Sequence, residues 1–230
     1  QVRSFLEGAE EMVFATYGIG PVPVRDMELQ FIGKDKGNSL AWVVSYVDAT
    51  TGIAQAWELA YDTMDYSGDA SQETSVGLTT LHEMTHAMMS ASGINWKDSH
   101  NPKWFKEGTA EYMTGGMDRL IIDLKIQGGA ANFDSDSNIE KMLNRIDGAA
   151  SDSAFYSASY ATTRYLDEWL GKDGRSSSLS LVLQNMQATQ GSLDDAIQAT
   201  AGGATLAQFK TSLKSDGLNA IKGYITTSVS

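Results

Sequence analysis

Two of the chain's three histidines stand four residues apart in the segment LHEMTHA, Leu81–Ala87, and a glutamate directly follows the first. In a helix, residues four apart lie on one face, so His82 and His86 can direct two imidazoles at one ion. Neutral imidazole is a ligand that zinc favours. Glu83 lies about 100° further around such a helix, where a general base for an attacking water belongs. The segment therefore predicts a catalytic zinc site; the alternative is a chance pair of histidines on a helix.

A catalytic zinc ion usually takes three protein ligands and leaves one position for water. Cysteine, a common zinc ligand, is absent from the chain. A metzincin would need a histidine six residues after the second histidine, but that position is Ser92, so this class is excluded. His100 and a downstream acidic residue remain as candidates for the third ligand.

Two glutamates again stand four residues apart in the segment WFKEGTAEY, Trp104–Tyr112. Glu107 can supply the third zinc ligand. Glu111, one helical turn later, can accept a hydrogen bond from the free ring N–H of a ligating histidine, most directly His82, and so fix its tautomer. Taken alone, this spacing indicates a solvated helix face. Because the segment follows the His-Glu helix by one loop, we predict instead a site made of His82, His86 and Glu107.

HEMTH followed by WFKEGTAEY resembles the paired motifs of the gluzincin metallopeptidases, which include bacterial collagenases and the zinc aminopeptidases. The resemblance implies a zincin-like fold and a zinc site completed by the glutamate of the second motif. Twenty residues separate His86 from Glu107, which is near but not equal to the aminopeptidase spacing. No GAMEN-like segment for holding a substrate amine is visible, so we expect an endopeptidase, with an exopeptidase as the alternative.

A third segment, FYSASYATTRYL, Phe155–Leu166, is similar to the helix on which gluzincins place a tyrosine over the zinc. In that family the phenol donates a hydrogen bond to the oxyanion that forms during catalysis. The resemblance implies this role for Tyr156, with Tyr160 as the second candidate. The alternative is that both tyrosines pack in the protein core.

Among gluzincins the motifs most resemble those of the flagellinolysins, collagenase-like domains inserted in the variable, surface-exposed region of some bacterial flagellins. The resemblance implies an extracellular enzyme on the flagellar filament, with protein or peptide substrates and the rest of a flagellin polypeptide as partner. The first residues, QVRSFLEGAEEMVF, do not fit a signal peptide because acidic residues interrupt them, so either the protein stays in the cytoplasm or export uses a signal outside this chain. An inactive zinc-containing surface or adhesive module is the alternative, against which the intact Glu83 argues.

The composition limits the classes of partner. The 230 residues carry a formal net charge of −12 at pH 7. Such an acidic surface repels nucleic acid and anionic membranes, so we expect neither as a partner. No apolar run approaches the roughly 18 to 20 residues that a membrane helix needs.

The pattern along the chain predicts an α+β fold: a small mixed sheet near the N-terminus, the active-site helix, and then helices. We expect one subdomain over residues 1–92 and a helical subdomain over 93–230. Strands are predicted at 26–33, 39–48 and 54–64. Helices are predicted at 3–17, 71–92, 103–113, 117–127, 137–147, 153–170, 177–189, 192–200 and 204–215.

Three finer expectations follow from local signals. Gly93 is expected to close the active-site helix, and Asn101 to cap the next one. The strand AQAWELAY is our candidate sheet edge, where a substrate could add as a further strand, although an ordinary core strand is as good a reading. Asp62, Asp65 and Asp69 are a candidate calcium site; the alternative is a plain acidic loop, because their spacing matches no EF-hand loop.

Overall fold

The computed structural model describes residues 2–20, 28–33, 41–47, 54–62, 73–96, 101–148 and 152–229. Over these residues the fold is α+β, as predicted, with one small sheet and ten α-helices. The backbone groups into two compact units. The first comprises Gln1–His100 and Leu183–Gly191, and the second Asn101–Val182 and Ser192–Ser230.

The first unit contains α1 (Val2–Tyr17), β1 (Glu28–Ile32), β2 (Ala41–Val47), β3 (Ala54–Asp62) and α2 (Glu73–Ala91). The described strands form one mixed sheet in the order β1-β3-β2. β3 pairs parallel with β1 and antiparallel with β2, with Leu59 opposite Leu29 and Val43. The prediction that AQAWELAY forms the sheet edge is therefore wrong, because this segment is the central strand.

The helix α2 packs against α1 and against β2 and β3. Tyr61 on β3 is almost fully buried, and its hydroxyl lies 2.8 Å from Thr80 Oγ1 on α2. Because Thr80 Oγ1 donates its own proton to the Val76 carbonyl at 2.7 Å, Tyr61 is the donor in this pair. The bond fixes α2 against the middle of the sheet at a point just before the two histidines.

After α2, helices are the only regular elements among the described residues. They are α3 (Lys103–Thr114), α4 (Met117–Gly128), α5 (Asp136–Leu143), a 3₁₀ turn (Asn144–Asp147), α6 (Ser153–Leu170), α7 (Leu179–Thr189), α8 (Leu193–Thr200), α9 (Leu206–Leu213) and α10 (Asp216–Val229). The helices expected from the sequence are present with small shifts at their ends, whereas α10 was not predicted. The expected helix 137–147 ends early, as α5 and the 3₁₀ turn.

The helix α6 is the centre of the second unit, since α3, α4 and α5 all pack on it. Twelve of its 18 residues are buried, many of them small. Asp152 begins the helix, with its side chain accepting a hydrogen bond from the Phe155 N–H. Near its end, Tyr165 and Trp169 pack on Phe209 with ring centroids 5.9 and 5.5 Å away.

Glycines close both motif-bearing helices, as their positions in the sequence predict. Gly93 and Gly115 have φ of 80° and 75°, a left-handed conformation that glycine adopts without strain. The predicted cap by Asn101 is wrong. Pro102 is the N-cap of α3 and makes no side-chain hydrogen bond to it, whereas Asn101 Oδ1 accepts from the Leu193 N–H of α8 at 2.7 Å.

Among the described helices, none is both long and apolar enough to cross a lipid bilayer. Of the three aspartates considered for calcium, Asp62 is fully buried at the end of β3. Asp65 and Asp69 lie outside the described residues, so the calcium site stays a prediction.

Candidate metal centre

The helix α2 carries His82, Glu83 and His86. Its other side chains at this level are buried, among them Leu81, Met84, Thr85, Ala87 and Met88. His86 is only 7% exposed, whereas His82 and Glu83 are half-buried. Packing on the sheet and α1 thus sets the rotation of α2 and the direction in which its two imidazoles point.

The two histidines have the geometry of ligands to one ion. Their Nε2 atoms lie 3.1 Å apart, and their rings stand at 81° with centroids 4.7 Å apart. Tetrahedral zinc with Zn–N bonds of about 2.0–2.1 Å would place two ligand nitrogens roughly 3.3 Å apart. The observed separation is close to this value, and both histidines present the same ring nitrogen.

Glu107 on α3 completes the group that was predicted. Single ligand atoms of His82, His86 and Glu107 all lie within 4.8 Å of one another, so these residues could hold a metal ion. Among the described residues, no other set of three or more such side chains does so. His100, the alternative third ligand, lies outside the described residues. Two imidazoles and one carboxylate are compatible with zinc.

Packing within the second unit explains where Glu107 sits. α3 buries Trp104 and Phe105 before the glutamate, and Gly108, Thr109 and Ala110 after it. Glu107 itself is half-buried. The helix therefore presents its apolar and small residues to the rest of the unit, and the carboxylate projects at the margin of that packed face.

Glu111 is 1% exposed, so its carboxylate needs compensation. Its Oε1 accepts a hydrogen bond from Arg119 Nη1 on α4 at 2.9 Å. The predicted hydrogen bond from His82 to Glu111 stays a prediction. Sequence reasoning missed Arg119, although a signal was present: an arginine eight residues after the glutamate, beyond the turn at Gly115 and Gly116.

The two candidate tyrosines on α6 have different surroundings. Tyr160 is 3% exposed, and its hydroxyl accepts a hydrogen bond from Arg164 Nη1 at 3.0 Å. Its ring also packs near Tyr112, with centroids 6.3 Å apart. Tyr156 is half-buried, and Arg119 Cζ lies 5.8 Å from the centroid of its ring. The structure thus places the hydroxyl of Tyr160, the second candidate, in a partly buried hydrogen bond.

Tyr112, the residue after Glu111, joins α3 to α6. Its hydroxyl donates to Asp167 Oδ2 at 3.1 Å. Burial, followed by the negative charge of Asp167, raises the pKa of Tyr112 to about 12. Tyr112 is therefore protonated at neutral pH and acts as a hydrogen-bond donor that holds the end of α3.

No protein-family model matches the chain, and no curated protein or solved structure matches it significantly. A function for the chain therefore has to be inferred from three features: the donor set of the metal group, the spacing of its ligand atoms and the position of Glu83 on the helix that carries both histidines.

Proposed function

We propose that the chain is a zinc-dependent endopeptidase of the gluzincin class, with a zincin-like fold. The observation that carries the proposal is the grouping of His82, His86 and Glu107 around one position. Glu83 stands next to the first histidine on the same helix, in the place that a general base would need.

The donor set favours a catalytic ion over a structural one. Structural zinc is almost always held by four protein ligands, commonly with cysteine among them, whereas catalytic zinc takes three. The chain has no cysteine, and the group contains two histidines and one glutamate. A structural site would also have no use for the acid at Glu83.

In the proposed reaction each residue has a distinct task. Zinc held by this group would lower the pKa of a water molecule and polarise the scissile carbonyl. Glu83 accepts a proton from the attacking water and delivers it to the amine nitrogen as the C–N bond breaks. Tyr156, or Tyr160 as the second candidate, donates a hydrogen bond to the developing oxyanion. Glu111 accepts from a ligating histidine and holds its tautomer.

The proposal extends to the setting of the enzyme. The resemblance to flagellinolysins supports an extracellular protease that is displayed on a flagellar filament as part of a flagellin polypeptide. The absence of an amine-binding segment such as GAMEN supports cleavage inside protein or peptide substrates rather than at their ends. The net charge of −12 supports neither nucleic acid nor an anionic membrane as a partner.

Cleavage-site profiling tests the proposal. A proteome-derived peptide library is digested by the zinc-loaded protein with and without a zinc chelator, and the new termini are identified by mass spectrometry. We expect internal cuts that the chelator abolishes. Trimming only at peptide ends would replace the endopeptidase by an exopeptidase. Zinc-loaded protein that cuts nothing would favour an inactive surface module.

A further inference from the structure

One arginine joins two of the candidate functional residues in the second unit. Arg119 Nη1 donates to Glu111 Oε1 at 2.9 Å, and Arg119 Cζ lies 5.8 Å from the centroid of the Tyr156 ring. These three residues stand on three different helices, α4, α3 and α6. A single side chain of α4 therefore contacts both the helix that carries Glu107 and the helix that carries the tyrosines.

We propose that Arg119 is a positioning residue of the peptidase site, which holds the Glu111 carboxylate and the Tyr156 ring in one fixed arrangement. The inference rests on the proposed function, because it assigns Glu111 and Tyr156 the roles given above. It adds a residue that the motifs do not contain.

The chemistry of arginine suits this double contact. A guanidinium is planar, so its edge can donate to a carboxylate while its face lies against an aromatic ring. A lysine ammonium is a point charge and lacks this planar geometry. The Arg119 side chain is 44% exposed, whereas that of Glu111 is 2% exposed. The arginine thus keeps contact with water while it compensates the buried carboxylate.

The helix α4 is hydrogen-bonded to α6 at two residues that flank Tyr156. Asp123, one turn after Arg119, accepts hydrogen bonds from Ser153 Oγ at 3.0 and 2.8 Å and from Ser157 Oγ at 2.6 Å. Ser153 and Ser157 precede and follow Tyr156 on α6. Because this aspartate holds α4 against α6, the backbone of Arg119 keeps a fixed position relative to the Tyr156 ring.

Arginines engage the two candidate tyrosines in different ways. Arg164 donates to the hydroxyl oxygen of Tyr160, and the phenol keeps its own O–H proton. Arg119 Cζ lies 5.8 Å from the centroid of the Tyr156 ring, at the outer range of a cation–π contact. The proposal pairs Arg119 with Tyr156 because Tyr156 is the first candidate for the donor to the oxyanion.

The matched control is Arg175. Its guanidinium lies 4.1 Å from the Trp169 ring centroid and pairs with Asp173 at 3.0 Å, so it makes the same two kinds of contact without touching a predicted site residue. We would compare Arg119→Met and Arg119→Lys with Arg175→Met. Circular dichroism checks that each variant is folded. If Arg119→Met does not fold, the test is carried out with Arg119→Lys alone.

The first readouts do not depend on catalysis. The nine tyrosines are labelled with 3-fluorotyrosine, and the ¹⁹F resonance of Tyr156 is assigned from Tyr156→Phe. We expect both Arg119 variants to shift this resonance and Arg175→Met to leave it in place. Zinc affinity, measured by competition with a chromophoric chelator, is expected to fall about 10-fold in Arg119→Met, because Glu111 loses its partner.

A double-mutant cycle gives the third readout. Arg119→Met should lower kcat about 10- to 100-fold and change KM less than about threefold. At saturating zinc, the same substitution in the Tyr156→Phe background should lower kcat less than about threefold, because the effect of Arg119 on kcat passes through the tyrosine. If the falls in kcat of the two single variants multiply in the double variant, Arg119 does not act on kcat through Tyr156.

The failure of the inference is separable from failure of the proposed function. If the zinc-loaded wild type cleaves nothing, the proposed function falls, but the Tyr156 resonance and the zinc affinity still report on Arg119. An unchanged resonance together with an unchanged zinc affinity in both Arg119 variants overturns the inference, whatever the activity of the wild type.

Discussion

Gly108 on α3 and Ser159 on α6 approach so closely that a β-carbon on the glycine would lie 2.3 Å from the Ser159 carbonyl oxygen. The same β-carbon would lie 2.1 Å from Thr163 Oγ1. Gly108 directly follows the proposed ligand Glu107. The glycine therefore lets two helices pack almost backbone to backbone at the point where the carboxylate leaves α3.

Gly108→Ala should destabilise the protein. The backbone carbonyl of Ser159 cannot rotate away as a flexible side chain could, so we expect the free energy of unfolding to fall by about 1–3 kcal/mol. Urea denaturation measures the change. Gly223→Ala on α10 is the control, because nothing lies within 4 Å of the added carbon. That variant should be neutral or gain up to about 1 kcal/mol, and equal losses in both variants would contradict the close-packing explanation.

Glu83→Gln separates catalysis from metal binding. The amide cannot accept the proton of the attacking water, so peptide cleavage should fall about 10²- to 10⁴-fold. Zinc content, measured by atomic emission, should stay at one ion per chain. Glu140→Gln on α5, an exposed glutamate in the second unit, should change neither quantity. Full activity in Glu83→Gln would remove it from the mechanism.

Glu107→Ala and Glu111→Ala should differ in their effect on zinc. Loss of a direct ligand should leave Glu107→Ala without zinc after dialysis against a moderate chelator. Loss of a residue that only orients a ligating histidine should weaken affinity about 10- to 100-fold and keep the stoichiometry. Titration with a competing chelator measures both the zinc affinity and the zinc stoichiometry of each variant. Tight binding by Glu107→Ala would make His100 the third ligand to test next.

The two tyrosines should separate activity from stability. Tyr156→Phe should lower kcat about 10²- to 10³-fold by removing a donor to the oxyanion, with little change in the urea midpoint. Tyr160→Phe removes a buried acceptor for Arg164 and should cost about 1 kcal/mol of unfolding free energy. The reverse pattern would assign the catalytic role to Tyr160.

Alkaline pH should weaken the contact of α3 with α6. The pKa of Tyr112 is raised from its ordinary 10.0 to about 12 in the folded protein, so the unfolded chain loses this proton first. The stability it contributes is complete below about pH 10 and is lost as pH rises from 10 towards 12. Tyr112→Phe should therefore show a smaller fall in urea midpoint between pH 9 and 11.5 than the wild type. An unchanged fall would mean that other groups govern the alkaline transition.

The helices that carry the candidate site could be predicted because their signals are local. Ligands four residues apart need only one helix to share a face, and Gly93 and Gly115 mark helix ends wherever the helix packs. α10 was missed for the opposite reason. Its sequence, DGLNAIKGYITTSV, is rich in glycine and β-branched residues, and it is helical because Ile221 and Ile225 are buried by tertiary packing.

Relations between segments that pack together are not specified by the local sequence. Nothing in AQAWELAY distinguishes a central strand from an edge strand, because strand order depends on which segments pair with it. Asn101 has the right type and position to cap the following helix, yet its side chain serves α8 instead. The pairing of Glu111 with Arg119 depends on the angle at which α4 leaves α3, which the glycines of the turn permit but do not specify.

At three helix starts in the second unit, a backbone N–H donates to a side chain from outside the helix, in α8 and α9 beside a local capping box. The side chain of Asn101 accepts a hydrogen bond from the Leu193 N–H at the start of α8. In the same way, Asp167 accepts from the Leu179 N–H of α7, and Asp194 accepts from the Leu206 N–H of α9. In the first of these pairs, 92 residues separate the partners. A nascent chain that has reached only α6 holds Asn101 and Asp167 without the amides they serve. The order of synthesis therefore delays completion of this unit until its last third has been made, so we expect it to fold as one cooperative step.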